Sequence, residues 1–196
     1  MLYGADTRDY GTPEQLIQRT ISAFGQIDVL VNSAAISHPM PAEKVTKSIL
    51  QKHVDVNFVA TYLATKAATR RMVDQGQGGS IVSISSNTTV VGASGLAHYA
   101  GSKAGVLALM NNFAVEFGSH GIRYNSVLPG PTETQIISDF VTDPKMREVL
   151  MAKSPMGRLA QPEDIASVVT FFASDLSRHV SGQQLLVDGG ASYRFL

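Results

Sequence analysis

Four short apolar runs punctuate the chain, and their spacing limits it to very few architectures. They are IDVLVN (27–32), SIVSIS (80–85), IRYNSVL (122–128) and QQLLVDGG (183–190). Between them lie stretches of helical period. TPEQLIQRTISAFG (12–25) predicts a helix capped by Thr12, with Pro13 in its first turn, Gln15 completing a capping box and Gly25 stopping it. Residues 46–74 predict a long helix that ends before the glycines of GQGG. Residues 98–118 predict a helix that is apolar around much of its circumference, through Val106, Leu107, Leu109, Met110, Phe113, Val115 and Phe117. QPEDIASVVTFFAS (161–174) predicts another, with Pro162 near its start. Strands alternating with helices of this length imply an α/β fold, a parallel sheet covered on both faces. IDVLVN has apolar residues pointing both ways, so burial on both faces is expected of it.

A chain of 196 residues suggests a single domain, 1–196, long enough to bury a sizeable core. Apolar residues make up 44% and charged residues 16%, a globular composition. The formal charge is zero, which gives no electrostatic reason to bind nucleic acid or an anionic membrane. Cysteine is absent, so disulfides and thiolate metal sites are excluded, in keeping with a reducing cytoplasm. No signal-peptide pattern and no membrane-spanning apolar run is present. The expected setting is cytoplasmic.

In parallel α/β sheets, chemistry gathers beyond the carboxyl ends of the strands. Those ends carry Asn32 and Ser33, then Ser85 and Ser86, then Pro129 to Thr134. Just beyond Ser86, HYAGSKAG (98–105) places Tyr99 four residues before Lys103, among small residues that allow a helix to pack closely. Residues four apart share a helix face. An ammonium near a phenol favours the phenolate, and a second positive group adds to the effect. A tyrosine tuned this way can exchange a proton with a carbonyl or alcohol oxygen, with Ser86 holding the same oxygen. The pair alone is weak evidence, since the spacing also arises by chance and most such pairs are packing contacts. Ser86 alone reads as a strand-end serine, and Asn57 alone as a polar helix position. His38 and His98, in a loop and at a helix start, read as solvated, and no His/Asp/Glu cluster has metal-ligand spacing.

Several motifs in order change the odds. NSAA (32–35), DVNFVATY (55–62), SIVSISS (80–86), YAGSK (99–103), LPGPTET (128–134) and SGQQLLVDGG (181–190) resemble those of the short-chain dehydrogenase/reductase family over essentially the whole chain. The first departs from the family's Asn-Asn-Ala-Gly at Ser33 and Ala35. The resemblance implies a Rossmann-like parallel sheet with helices on both faces. It implies an NAD(P)-dependent oxidoreductase that interconverts a carbonyl and a secondary alcohol. Tyr99 would be the general acid/base. Lys103 would lower its pKa and bind the nicotinamide ribose. Ser86 would orient the substrate oxygen, and Asn57 would support a water that relays protons to Lys103. The cofactor, NAD or NADP, would meet Asp6 near the adenine, Asn32 near a ribose, Tyr99, Lys103, and the turn of Pro129, Gly130, Thr132 and Thr134. A homodimer or homotetramer through helices 46–74 and 98–118 would follow.

Members of the family begin with a strand, a glycine-rich turn and a helix that bind the pyrophosphate, and no Gly-x-x-x-Gly-x-Gly precedes residue 32. LYGADTRD (2–9) resembles the family's third strand. The expectation is therefore a truncated fold with the first two strands and helices absent, and residues 2–5 either paired beside IDVLVN or loose. Two other functions stay open: a cofactor-independent proton-transfer enzyme such as an isomerase or lyase, and a non-catalytic oligomerisation partner. The substrate is readable only as a small or medium carbonyl or alcohol, set by residues 87–97 and 134–154.

Overall fold

The computed structural model describes residues 3–6, 9–138 and 142–193. Among the described residues, four strands form one parallel sheet in the order β1-β2-β3-β4: β1 (Val29–Asn32), β2 (Gly79–Ile84), β3 (Ile122–Pro129) and β4 (Gln184–Val187). Six described α-helices accompany them: α1 (Thr12–Phe24), α2 (Lys47–Val54), α3 (Ala60–Gln75), α4 (Ala97–Phe117), α5 (Pro144–Ala152) and α6 (Pro162–Ala173). The parallel α/β architecture matches the sequence reading.

Two cores sandwich the sheet. On one face Leu30, Ile81, Ile122 and Tyr124 meet Ile17, Ala68, Met72, Val106, Met110 and Phe113 from α1, α3 and α4. On the other, Val82 and Val127 pack on Phe172 of α6. Strand residues alternate between faces, which is why neighbours such as Ile81 and Val82 serve different cores.

IDVLVN is not buried on both faces. Leu30 is buried, but Val29 and Val31 are 40% and 43% exposed. The cause is coverage: α6 lies against β2, β3 and β4, not β1. The described part of LYGADTRD does not form the third strand that the resemblance implied. Tyr3–Asp6 is irregular, and Tyr3 turns instead to α1, its ring 4.1 Å from the Arg19 guanidinium and its hydroxyl 3.4 Å from Gln15 Oε1. Met1, Leu2, Thr7 and Arg8 lie outside the described residues.

Local signals set most boundaries. Gly25 stops α1 in the left-handed region at φ 84°. At the other end the cap is Gly11, one residue before Thr12, and the expected Thr12–Gln15 capping box does not form. A capping box does form at α6, between Gln161 and Asp164. The helix expected over 46–74 is interrupted by a π-turn, Asp55–Val59, between α2 and α3. Such bulges insert one extra residue per turn and re-aim the side chains they carry. Here the bulge carries Asn57.

Candidate active site

α4 enters the site at its first two turns. Gly105 lets it pack closely: a Cβ there would lie 2.9 Å from the Phe58 ring on the π-turn. Ser85 Oγ donates to Lys103 O at 3.0 Å, joining α4 to the end of β2. The Tyr99–Lys103 turn of α4 thus lies against the end of β2.

Lys103 is 2% exposed, and its Nζ donates to Ile84 O at 2.7 Å. Burial holds its pKa down to about 8. Tyr99 does not behave as the simple pairing argument expected. Burial pushes the phenol above its ordinary value, and the opposing influence is a hydrogen bond with Ser86 rather than the lysine charge.

Asn57 is fully buried and clamps the loop after β1. Its Oδ1 accepts from Ile36 N at 2.8 Å, and its Nδ2 donates to Ile36 O and to Ser102 Oγ, both at 3.0 Å. Ser102 Oγ in turn donates to Tyr99 O at 2.7 Å. Asn57 is thus tied to the Tyr99 turn through Ser102. One acceptor site on its carbonyl is left for a water. Asn32 spends both amide hydrogens inward, on Thr65 Oγ1 and Ser83 Oγ at 3.1 Å each, so its Oδ1 and backbone are what it can offer a ligand.

The turn after β3 is braced internally. Gly130 N donates to Val187 O at 3.0 Å, and a Cβ on Gly130 would lie 2.6 Å from Asp188 Cβ. Thr132 Oγ1 donates back to Gly130 O at 3.0 Å and Thr134 Oγ1 to Thr132 O at 3.3 Å. Pro129 ends β3 itself. Asp6 is exposed on the irregular N-terminal segment, its carbonyl accepting from Asp9 N at 3.1 Å, and it does not sit in a strand.

Three features escaped the sequence reading. Tyr62 and Lys66 repeat the Tyr-x-x-x-Lys spacing on α3, but both are exposed; burial, not spacing, separates the two pairs. His98 is buried rather than solvated, 4.4 Å from the ring of His53, which is also buried. His53 lies one helical turn before Asn57, so its shared face was a usable signal. Thr88 contacts Ser86, and nothing in NTT (87–89) distinguished it. Among the described residues no cluster of His, Asp or Glu is arranged to hold a metal ion.

The nicotinamide half of a dinucleotide is compatible with these residues: Lys103 Nζ has donors beyond the one given to Ile84, and Asn32, Tyr99 and the Pro129–Thr134 turn share the carboxyl edge of the sheet. No Gly-x-x-x-Gly-x-Gly occurs ahead of residue 32.

Comparison with known proteins gives the family. The family model described as Enoyl-(Acyl carrier protein) reductase matches residues 1–192. The chain is 41% identical over 187 residues to L-rhamnose 1-dehydrogenase (NAD(P)(+)) of Azotobacter vinelandii, covering 95% of this chain and 73% of that protein. It is 40% identical over 185 residues to the enzyme of the same name from a Sphingomonas species, covering 94% and 73%. A gluconate 5-dehydrogenase from Burkholderia cenocepacia, solved with NADP and tartrate, superposes with a TM-score of 0.92 at 28% identity, over 97% of this chain and 74% of that one. The order of the motifs, the parallel sheet that carries them and these relatives lead to one conclusion: the chain belongs to the short-chain dehydrogenase/reductase family of NAD(P)-dependent oxidoreductases.

Proposed function

We propose that the protein oxidises a polyhydroxylated substrate of the aldose class at its anomeric hydroxyl, and reduces the product in reverse, with Tyr99, Ser86, Lys103 and Asn57 as its working residues. The observation that carries this is the convergence of Ser86 and the Tyr99–Lys103 turn, with Lys103 almost fully buried. The substrate class rests on the two relatives named for L-rhamnose. Their chemistry is not that of an isomerase or a passive partner, and neither alternative is favoured.

NAD or NADP, when bound, supplies hydride transfer and a positive charge on its oxidised ring. The remaining work falls to the chain. Ser86 donates a hydrogen bond to the substrate oxygen. Tyr99 takes the hydroxyl proton as that oxygen becomes a carbonyl. Lys103, held against Ile84 O, fixes the cofactor's ribose and favours the phenolate. Asn57 holds the Tyr99 turn through Ser102 and offers its spare acceptor site to a water.

We further propose that the 196 residues supply the nicotinamide half of the cofactor site and that the pyrophosphate cradle of this family lies in a glycine-rich segment they do not contain. β1 is the outermost strand of the sheet among the described residues, which fits an edge prepared for a neighbouring strand. Pairing of two copies through α2–α3 and α4 fits the small exposed residues Gly101, Ala104 and Ala108 along α4. A reducing cytoplasm fits the absence of cysteine.

The test uses purified chain, millimolar NAD or NADP and a panel of aldoses, read by nicotinamide absorbance. L-Rhamnose or a stereochemical neighbour is expected to be oxidised. Tyr99→Phe keeps the ring and removes the proton acceptor, so turnover should fall about 10²–10⁴-fold. Near-normal turnover in Tyr99→Phe overturns the role assignment. Activity confined to fatty-acyl or aromatic carbonyls overturns the substrate class.

A further inference from the structure

Ser86 does not stand free at the end of β2. Its backbone is extended, and its side chain caps the short turn Asn87–Thr89. Ser86 Oγ accepts from Thr88 N at 3.2 Å and from Thr88 Oγ1 at 2.9 Å. The next residue holds the other end: Thr89 Oγ1 donates to Ser86 O at 2.7 Å. A hydroxyl has two lone pairs and one hydrogen. Thr88 occupies both lone pairs, so the hydrogen is all that Ser86 has left to share.

The Tyr99 phenol is the titrating group that feels the Ser86 side chain, which works against the rise that burial gives its pKa. With its lone pairs taken, Ser86 can meet the phenol oxygen or the substrate oxygen only as a donor. We propose that Thr88 is a positioning residue that makes Ser86 an obligate hydrogen-bond donor toward the oxygen at which Tyr99 and the substrate exchange a proton. The proposal rests on the reading of Tyr99 as the acid/base and adds what controls its partner. Thr88 itself touches neither substrate nor cofactor in this scheme.

The polarity matters to the chemistry. A serine with a free lone pair can accept the phenol hydrogen, which fixes the proton between the two side chains and stabilises neutral Tyr99. A donor-only serine cannot do this. It favours the phenolate and leaves the phenol hydrogen, when present, to be given to the substrate oxygen. The cap of the turn needs only the Thr88 backbone N–H. The Thr88 hydroxyl is not required for the turn, and the polarity argument gives it a role.

Two substitutions separate these functions. Thr88→Val keeps the shape and the backbone cap but removes the hydroxyl, while Thr88→Ser keeps the hydroxyl. In chain labelled with [13Cζ]tyrosine, the Tyr99 signal is assigned by its loss in Tyr99→Phe. Its titration midpoint should rise by about 0.5–1 unit in Thr88→Val and return to the parent value in Thr88→Ser. Thr89→Val, which touches only the serine backbone carbonyl, should leave it unmoved. With millimolar NAD or NADP, kcat/KM for the oxidation should fall about 3–10-fold in Thr88→Val, and its pH profile should shift toward alkali. A folded Thr88→Val chain with the parent midpoint overturns the proposal. If Thr88→Val does not fold, Thr88→Ala gives the same reading. Failure of the underlying assignment looks different: Tyr99→Phe would then keep its turnover whatever Thr88 does.

Discussion

Lys103 Nζ donates to Ile84 O at 2.7 Å, which hangs the ammonium on the last residue of β2 while the rest of its surroundings are dry. The carbonyl holds the group in place but does not replace the water it lost. Burial therefore brings its pKa from 10.5 to about 8. Below pH 8 both folded and unfolded chains carry the proton and the burial penalty is in full force. Between pH 8 and 10 the folded chain releases a proton that the unfolded chain keeps, so stability rises with pH. The rise over that window should be about 2–3 kcal/mol, seen as a higher urea midpoint, and Lys103→Met should flatten it. Above pH 10 the raised tyrosines Tyr99 and Tyr124 act in the opposite direction. A parent chain whose stability is flat or falling from pH 8 to 10 contradicts this assignment.

Asn57 should be a structural keystone as well as a site residue. Asn57→Leu leaves both backbone groups of Ile36 without the partner they have at 2.8 and 3.0 Å. Stranding two half-buried polar groups costs about 2–5 kcal/mol at most, measurable by urea denaturation. A loss under about 1 kcal/mol would mean that the loop after β1 finds other partners without difficulty.

His53 predicts acid sensitivity. Its Nδ1 lies 2.8 Å from Ile49 O, its Nε2 is buried with no hydrogen-bond partner among the described residues, and His98, His38 and Lys52 stand close to it. Burial, then the neighbouring histidines, lower its pKa. The unfolded chain binds the proton more readily, so stability should fall as pH drops through about 6.5. His53→Phe should reduce that acid-side loss. Identical acid limbs for parent and variant in thermal unfolding would assign the loss to other groups.

On the proposal that the pyrophosphate cradle lies outside these 196 residues, their dinucleotide affinity should be weak. Backbone N–H groups at a helix N-terminus normally hold the pyrophosphate, each contributing about 1.5–3 kcal/mol to a charged ligand. Lacking two or three of them removes about 4–8 kcal/mol, roughly three to six orders of magnitude in affinity. Titration calorimetry on the 196-residue chain should show no micromolar binding of NADH or NADPH. A micromolar dissociation constant would show that another part of the chain, or a second copy, cradles the phosphates.

The strands, the helices and the residues at the strand ends were legible because each depends on local pattern. IDVLVN, SIVSIS and IRYNSVL carry their own strand signal, Gly25 its own stop, and Tyr99 its own place four residues before Lys103. Burial and polarity were not legible, since they depend on what comes to lie alongside. The same spacing at Tyr62 and Lys66 stays in solvent, whereas α4 carries Lys103 beneath the end of β2 and dries it. Val29 and Val31 read as core residues and are exposed because α6 stops short of β1. The π-turn that aims Asn57 at Ile36, the pairing of His53 with His98 and the two hydrogen bonds from Thr88 that leave Ser86 only a proton to give all join groups whose directions no linear pattern records. Sequence chose the side chains; packing decided which were dry, which were paired and which way their hydrogen bonds run.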